Sequence, residues 1–122
     1  MRINDVSEDR QINAVSQNPW LLISIVDPSE AVKLAAVTRF GDIIQHIPDP
    51  STAVQLAAVT ETPGALVYIT DPEQSVAIRA LLGMVNNRQF HQVVGDNLRR
   101  IYTLHPEWED LQLMADEIGV EL

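Results

Sequence analysis

Three histidines are the residues of this chain best suited to metal binding or acid–base catalysis, and their spacing supports neither. His46, His91 and His105 lie 45 and 14 residues apart, whereas a zinc-binding pair stands about one helical turn apart. The chain has no cysteine, which excludes disulfide bonds and thiolate ligands for zinc or iron–sulfur clusters. It also has no paired carboxylates, nucleophile elbow or glycine-rich phosphate loop. We therefore predict no enzyme activity, no metal and no cofactor.

The acidic residues suggest a different chemistry, the binding of a basic partner. The net charge is −9, and residues 107–122 contain six acids and no base. Glu107, Asp110 and Glu117 are spaced to share one side of a final helix, while Asp116 and Glu117 fall in its last turn, where the helix dipole opposes acids. Three interpretations remain open for this acidic side. It is solvated, it docks a basic protein, or it mimics nucleic-acid phosphates.

The basic residues cluster just before that acidic segment. Arg79, Arg88, Arg99 and Arg100 lie among residues 76–106, which contain only one acid. Four arginines are too few for a nucleic-acid-binding patch, so we expect no direct nucleic-acid binding. We predict instead that this zone neutralises the acidic helix within the molecule or between subunits.

An ungapped repeat of 22 residues dominates the sequence. DPSEAVKLAAVT begins at Asp27, DPSTAVQLAAVT at Asp49 and DPEQSVAIRALL at Asp71, and a degenerate copy begins at Asp5. The Asp-Pro pair is typical of a helix start, so we predict the three later aspartates as N-caps and the prolines after them as first helical residues. The same register predicts that Lys33 and its equivalents, Gln55 and Ala77, face water.

The second half of each copy predicts a shorter helix of six or seven residues, partly 3₁₀ in character. Its apolar positions recur with the same period and should be buried, at Leu22, Ile44 and Leu66 and at Ile25, Ile47 and Ile69. After Leu82 the period fails. Phe90, Val93 and Val94 then open the apolar side of a helix over about 88–104, and Trp108 begins the apolar side of a last helix that Gly119 ends.

These elements predict an all-α fold, a right-handed α-solenoid in which neighbouring units cover each other's apolar faces. We expect one domain over 1–122. Its parts are an N-terminal capping repeat at 5–26, repeats at 27–48, 49–70 and 71–82 (the last one partial), and C-terminal capping helices at 83–122.

The DPSxAVxLAAV motif resembles HEAT-like repeats, including the leucine-rich variant repeats, and is similar to short bacterial helical repeats of unknown function. The resemblance covers residues 5–82, although a period of 22 is slightly short for these families. It implies a solenoid fold and a habit of binding macromolecules. The iron–sulfur cluster associated with the variant repeats does not carry over, because cysteine is absent.

Polar and aromatic residues recur on the outer side of the short helices and form the predicted partner-binding site. Ser24, His46 and Tyr68 occupy one recurring position, while Trp20 and Asp42 occupy another. Solenoids bind partners through such surfaces. The predicted site also includes the acids of the last helix, namely Glu107, Asp110, Asp116 and Glu117.

Together these features predict a non-catalytic protein–protein interaction module, a small bacterial or phage adaptor or inhibitor that binds a protein partner. One alternative is an acidic nucleic-acid mimic of the anti-restriction or anti-CRISPR type, and another is a structural homo-oligomer, such as a homodimer. The sequence has no long apolar run and no secretory signal, so we expect a cytoplasmic protein without a membrane partner.

Overall fold

The computed structural model describes residues 2–122, and these residues form α-helices and 3₁₀ helices without a strand. The six α-helices are Glu8–Gln17 (α1), Glu30–Arg39 (α2), Thr52–Glu61 (α3), Gln74–Val85 (α4), His91–Leu104 (α5) and Glu109–Ile118 (α6). The five 3₁₀ helices are Ile3–Asp5 (η1), Pro19–Ser24 (η2), Gly41–His46 (η3), Pro63–Tyr68 (η4) and Arg88–Phe90 (η5).

The 22-residue period of the sequence is also the period of the structure. Each of α2, α3 and α4 begins 22 residues after the helix before it, and η2, η3 and η4 follow the same spacing. Helices α1 to α4 pack side by side as one layer, and η2 to η4 pack side by side as a second layer against it. The predicted all-α repeat fold with helices added at its C-terminal end is confirmed.

The predicted N-caps are wrong, because each helix starts three residues after its aspartate. The side-chain oxygens of Ser29 and Ser51 accept the N–H groups of Val32 and Val54, at 3.3 and 3.2 Å, and Glu73 is the corresponding flanking residue of α4. A serine at this point places its oxygen beside the third helical N–H. The proline before it therefore lies outside the helix.

The aspartates instead sit in the turn that leads into each helix. Asp27 and Asp49 have φ values of 52° and 46°, in the left-handed region that aspartate and asparagine tolerate better than most residues. The capping residues also link neighbouring units, since Ser51 Oγ donates to Glu30 Oε2 at 2.6 Å. In the next unit Thr52 Oγ1 donates to Glu73 Oε1 at 2.9 Å.

The core lies between the two layers and follows the repeat. In the α layer it consists of equivalent residues from successive units, Val32, Val54 and Val76, then Ala36, Ala58 and Ala80, then Val37, Val59 and Leu81, all nearly inaccessible to solvent. The small alanine lets neighbouring helices approach closely. The predicted apolar positions of the 3₁₀ helices are buried as well, with Leu22 4% and Ile25 7% exposed.

The prediction that Lys33, Gln55 and Ala77 face water is wrong. Lys33 and Gln55 are half-buried, and Ala77 is fully buried. Gln55 turns back along its helix and its Nε2 donates to the Pro50 carbonyl at 3.0 Å. Side chains on a helix lean toward its N-terminus, which directs this position at the preceding turn rather than at solvent.

The two ends of the array are closed in different ways. At the N-terminal end Asn4 binds the loop after η2, where its Oδ1 accepts the Val26 N–H at 2.7 Å. At the C-terminal end α5 and α6 pack against α4. The prediction for the start of α5 is wrong in part, because Phe90 and Val93 are exposed, and the buried stripe of this helix begins at Val94.

Candidate interaction surface

The 3₁₀ helices are held in place by their ends. Asn18 Oδ1 accepts the Trp20 N–H at 3.3 Å, and proline at the first position of η2 and η4 favours the start of a helix because its φ is fixed. At the other end the Ile25, Ile47 and Ile69 N–H groups each bond the carbonyl three residues earlier, at 3.0 to 3.1 Å. These isoleucines point inward, and so does the leucine or isoleucine three residues before each of them. The two positions between the members of each pair therefore point outward.

Helix η3 has no proline and is fixed instead by a glycine and a carboxylate. Gly41 is buried, and a Cβ on it would stand 2.3 Å from the Ala58 carbonyl oxygen of α3. The Gly41 N–H donates to Glu61 Oε2 at 2.6 Å. Glycine is therefore required here for the close approach of η3 to α3, and the carboxylate accepts an N–H at the helix start that has no partner within the helix.

Residues 19–29, 41–51 and 63–73 each form a 3₁₀ helix and the loop that follows it, and we call these the 3₁₀ segments. The solvent-facing side of the three segments is the 3₁₀ face. Of the predicted site residues on it, Ser24 and His46 are exposed, Trp20 and Tyr68 are 49% and 45% exposed, and Asp42 is half-buried. The structure therefore places all five on one layer of the molecule.

Aromatic side chains from two neighbouring units meet on this face. The Trp20 ring lies 5.8 Å from the Phe40 ring and 5.5 Å from the His46 ring, the latter in an edge-on arrangement. Both aromatic partners of Trp20 belong to the following unit, so this ring connects two neighbouring units. Such contacts favour edge-to-face geometry and fix the orientation of an exposed ring.

Three apolar residues of the 3₁₀ face were missed by the sequence analysis. Ile23 is 56%, Val67 59% and Val26 80% exposed. The repeat register contains the signal that could have found them, because Ile23 and Val67 occupy one recurring position just after a buried leucine. In a chain this small, several exposed apolar side chains on one layer are a feature of binding surfaces.

The charge of the 3₁₀ face is negative throughout. Its three segments contain five acids, Asp27, Asp42, Asp49, Asp71 and Glu73, and no lysine or arginine. The four repeat helices α1 to α4 contain four acids and four bases. The excess of negative charge over the repeats is thus concentrated in the 3₁₀ segments.

The other predicted site residues lie apart from this layer. Asp110, Asp116 and Glu117 are exposed on α6 and Glu107 precedes that helix, and α6 packs against α4 and α5. Asp116 Oδ1 accepts a hydrogen bond from Gln112 Nε2 at 2.8 Å. The predicted residues therefore form two groups, one on the 3₁₀ face and one on α6, and Glu107 lies between them because it contacts His105, which also binds Asp71.

In the described residues the four arginines form no ion pair within 4.0 Å with the acids of α6, so the predicted neutralisation within the molecule is wrong, while neutralisation between subunits stays a prediction. Arg100 donates to the carbonyl oxygens of Ile69 and Thr70, both at 2.9 Å, and of Leu66 at 3.2 Å, and burial lowers the pKa of its guanidinium. Arg99 forms an exposed ion pair of 3.6 Å with Asp96. Arg100 therefore binds carbonyls at the C-terminal end of η4 and in the loop after it.

A histidine joins the C-terminal helices to the same end of the 3₁₀ face. His105 Nε2–H donates to Asp71 Oδ1 at 2.7 Å, its Nδ1 lies 3.4 Å from Glu107 Oε1, and its ring stacks on Trp108 at 3.9 Å. The hydrogen bond to Asp71 raises the pKa of His105; burial opposes this shift, and the bond to Glu107 adds to it. The contacts at this junction therefore stabilise the protonated ring relative to that of an isolated histidine.

Among residues 2–122 no His, Asp and Glu side chains are grouped as a metal site would require. None of the helices over this same range is long and apolar enough to cross a bilayer.

A scan against protein-family models and searches of curated proteins and solved structures found no match to this chain. The evidence for the repeat architecture is therefore the 22-residue spacing and the packing of the helices in this chain.

Proposed function

We propose that this protein is a non-catalytic binding module, an adaptor or inhibitor that docks a protein partner on its 3₁₀ face. The observation that carries the proposal is the combination on that face of exposed apolar side chains with five acids and no lysine or arginine. Apolar anchors supply affinity in protein interfaces, and charge complementarity supplies selectivity and rate. The partner is accordingly a protein surface that presents apolar and basic side chains.

The anchors expected to contribute most are Tyr68 and Trp20. Tyrosine and tryptophan are enriched among the residues that dominate binding energy. Trp20 is held by its contacts with Phe40 and His46, so little side-chain entropy is lost when a partner covers it. Ile23 and Val67 add apolar area beside them.

Site-specific photocrosslinking in the host cell tests this proposal. A photoreactive phenylalanine analogue replaces Tyr68 on the 3₁₀ face or, as the matched control, Ala53, which is exposed on α3 of the same unit. We expect a discrete protein adduct from position 68 and none from position 53. The adduct at position 68 should disappear when Ile23→Ser is added.

Equal crosslinking from both positions, or none from position 68, would contradict the proposal. Leu113→Ser serves as the second control, because Leu113 is 64% exposed on α6 and its loss should leave the adduct at position 68 unchanged.

A nucleic-acid mimic is the second candidate function, and one observation favours it. Asp116 and Glu117 make no ion pair within 4.0 Å in the described part of the chain, so neutralisation by the neighbouring arginines does not account for them. If they serve a mimic, Asp116→Asn combined with Glu117→Gln weakens binding to a basic partner and flattens its salt dependence. Unchanged affinity in the double variant would remove this candidate.

A further inference from the structure

A cavity of about 340 Å³ opens between the first and second units. Its apolar floor consists of Leu22, Ile25 and Ile47, each less than a tenth exposed, and Pro28 and Pro48 belong to its walls. Sites for small ligands begin at about 300 Å³ and combine mostly apolar walls with a few polar groups. The size and the walls of this cavity are thus those of a site for a small, partly apolar molecule.

Two residues of opposite charge, Asp27 and Lys33, also line the cavity, as do Ile23 and His46. In residues 2–122 the ion pairs within 4.0 Å involve only Arg99 and His105 as cations. Neither Asp27 nor Lys33 is therefore neutralised at close range by a partner or by the other. Lys33 is half-buried, and a cation that has lost part of its water is stabilised by an anion placed against it.

The equivalent position of the next unit shows that this lysine is not needed for packing. Gln55 takes the place of Lys33 and donates to the Pro50 carbonyl at 3.0 Å, and Ala77 takes the same place one unit further on. The lysine is thus peculiar to the unit with the cavity.

We propose that this cavity binds a free aliphatic α-amino acid. The ligand's carboxylate meets Lys33, its ammonium meets Asp27, and its side chain covers the floor formed by Leu22, Ile25 and Ile47. A simple carboxylate would be repelled by Asp27 and a simple amine by Lys33, whereas an amino acid carries both charges on adjacent atoms. The cavity opens on the 3₁₀ face, since Ile23, Asp27 and His46 line it, so a bound amino acid and a protein partner would share this surface. The proposal does not rest on the protein-binding function, because its test uses no partner.

Methyl chemical shifts of Leu22, Ile25 and Ile47 report on the cavity directly, and L-leucine is the probe. We expect saturable shifts with leucine. Leucinamide lacks the carboxylate, 4-methylpentanoate lacks the ammonium and glycine lacks the side chain, so each should bind at least about tenfold more weakly. Absence of saturable shifts with leucine, or equal binding of leucinamide or 4-methylpentanoate, would overturn the proposal.

Two variants test the charges, and the repeat supplies a control. Lys33→Gln places in the repeat at 27–48 the residue that the repeat at 49–70 already has, and Asp27→Asn keeps a side chain that tolerates positive φ. Each should weaken leucine binding at least about tenfold. Asp49→Asn changes the same charge at the same backbone conformation one unit away and should leave leucine affinity unchanged, so equal weakening there would contradict the assignment to this cavity.

Discussion

The layer of α-helices and the layer of 3₁₀ helices come from alternate halves of one repeat, yet they use their residues differently. In the α layer the recurring valines and alanines are buried and the charges balance. In the 3₁₀ layer one recurring position buries a leucine or isoleucine, while the next exposes Ile23 or Val67, and all charges of the segments are acidic. The α layer therefore buries most of its recurring side chains in the stack, whereas the 3₁₀ layer also exposes apolar and acidic side chains to solvent.

A valine-to-aspartate substitution, made once in each layer, gives the largest expected difference in the free energy of unfolding. Val54 is fully buried in α3, whereas Val67 is 59% exposed in η4. Val54→Asp places an unpaired charge between units and should lower the free energy of unfolding by about 4 kcal/mol or prevent folding. Val67→Asp should change it by under about 0.5 kcal/mol. Urea denaturation followed by circular dichroism measures both, and similar midpoints would contradict the assignment of the layers.

A pair of glycines tests how closely the two layers approach. Gly41→Ala should cost about 3 kcal/mol, because the new Cβ would collide with the Ala58 carbonyl of α3. At Gly64, in η4, a Cβ meets no atom within 4 Å. Gly64→Ala should therefore be neutral or stabilise the protein by about 0.4–1 kcal/mol by restricting the unfolded chain. Thermal unfolding of both variants provides the measurement. An equal loss of stability at the two positions would show that the close approach of η3 to α3 does not require glycine.

Substitutions of the adjacent residues Arg99 and Arg100 test whether the hydrogen bonds of Arg100 stabilise the C-terminal end of η4. Arg100→Gln removes the donor that binds the carbonyls of Leu66, Ile69 and Thr70 and should cost about 2 kcal/mol. Arg99→Gln breaks the exposed pair with Asp96 and an exposed hydrogen bond of 3.3 Å from Nε to the Glu121 carbonyl, and it should cost under about 1 kcal/mol. Hydrogen exchange of the η4 amides in the Arg100 variant should accelerate. An unchanged rate would mean that η4 is held by its packing on α3 and α4 alone.

The smallest expected effect is the pH dependence of stability that arises from His105. The pKa of His105 is raised in the folded protein, chiefly by the hydrogen bond to Asp71. The folded state therefore binds the proton more tightly than the unfolded chain does. The resulting stabilisation is complete below the unfolded pKa of about 6.5 and disappears as pH rises through the higher folded value.

Urea midpoints between about pH 6 and pH 9 measure this contribution. The decrease of the midpoint with pH should be reduced in His105→Gln and also in Asp71→Asn, which removes the principal acceptor. A slope unchanged in both variants would show that the contact between His105 and Asp71 does not control protonation at this junction.

The repeat made most of the fold predictable from sequence, because period and burial are properties of spacing. The positions of Val54 and Leu66 in the core follow from their recurrence at 22 residues, and Gly119 was expected to end α6, where its φ is 76°. The site was less predictable. Trp20 and Tyr68 were expected on the outer side of the short helices because polar and aromatic residues recur there. Ile23 and Val67 were not expected on that side, since an apolar residue in a short helix does not reveal which side it faces.

The sequence by itself determined the all-helical class, the unit length, the order of the elements and the acidity of the 3₁₀ segments, since these depend only on local propensity, spacing and charge. Tertiary structure alone decided what each side chain meets. Arg100 stands nine residues before Glu109 and could have paired with the acids of α6, but it binds carbonyls 30 or more residues earlier in the chain. A guanidinium held against an uncapped helix end satisfies several carbonyls at once, whereas an exposed ion pair with α6 would contribute little.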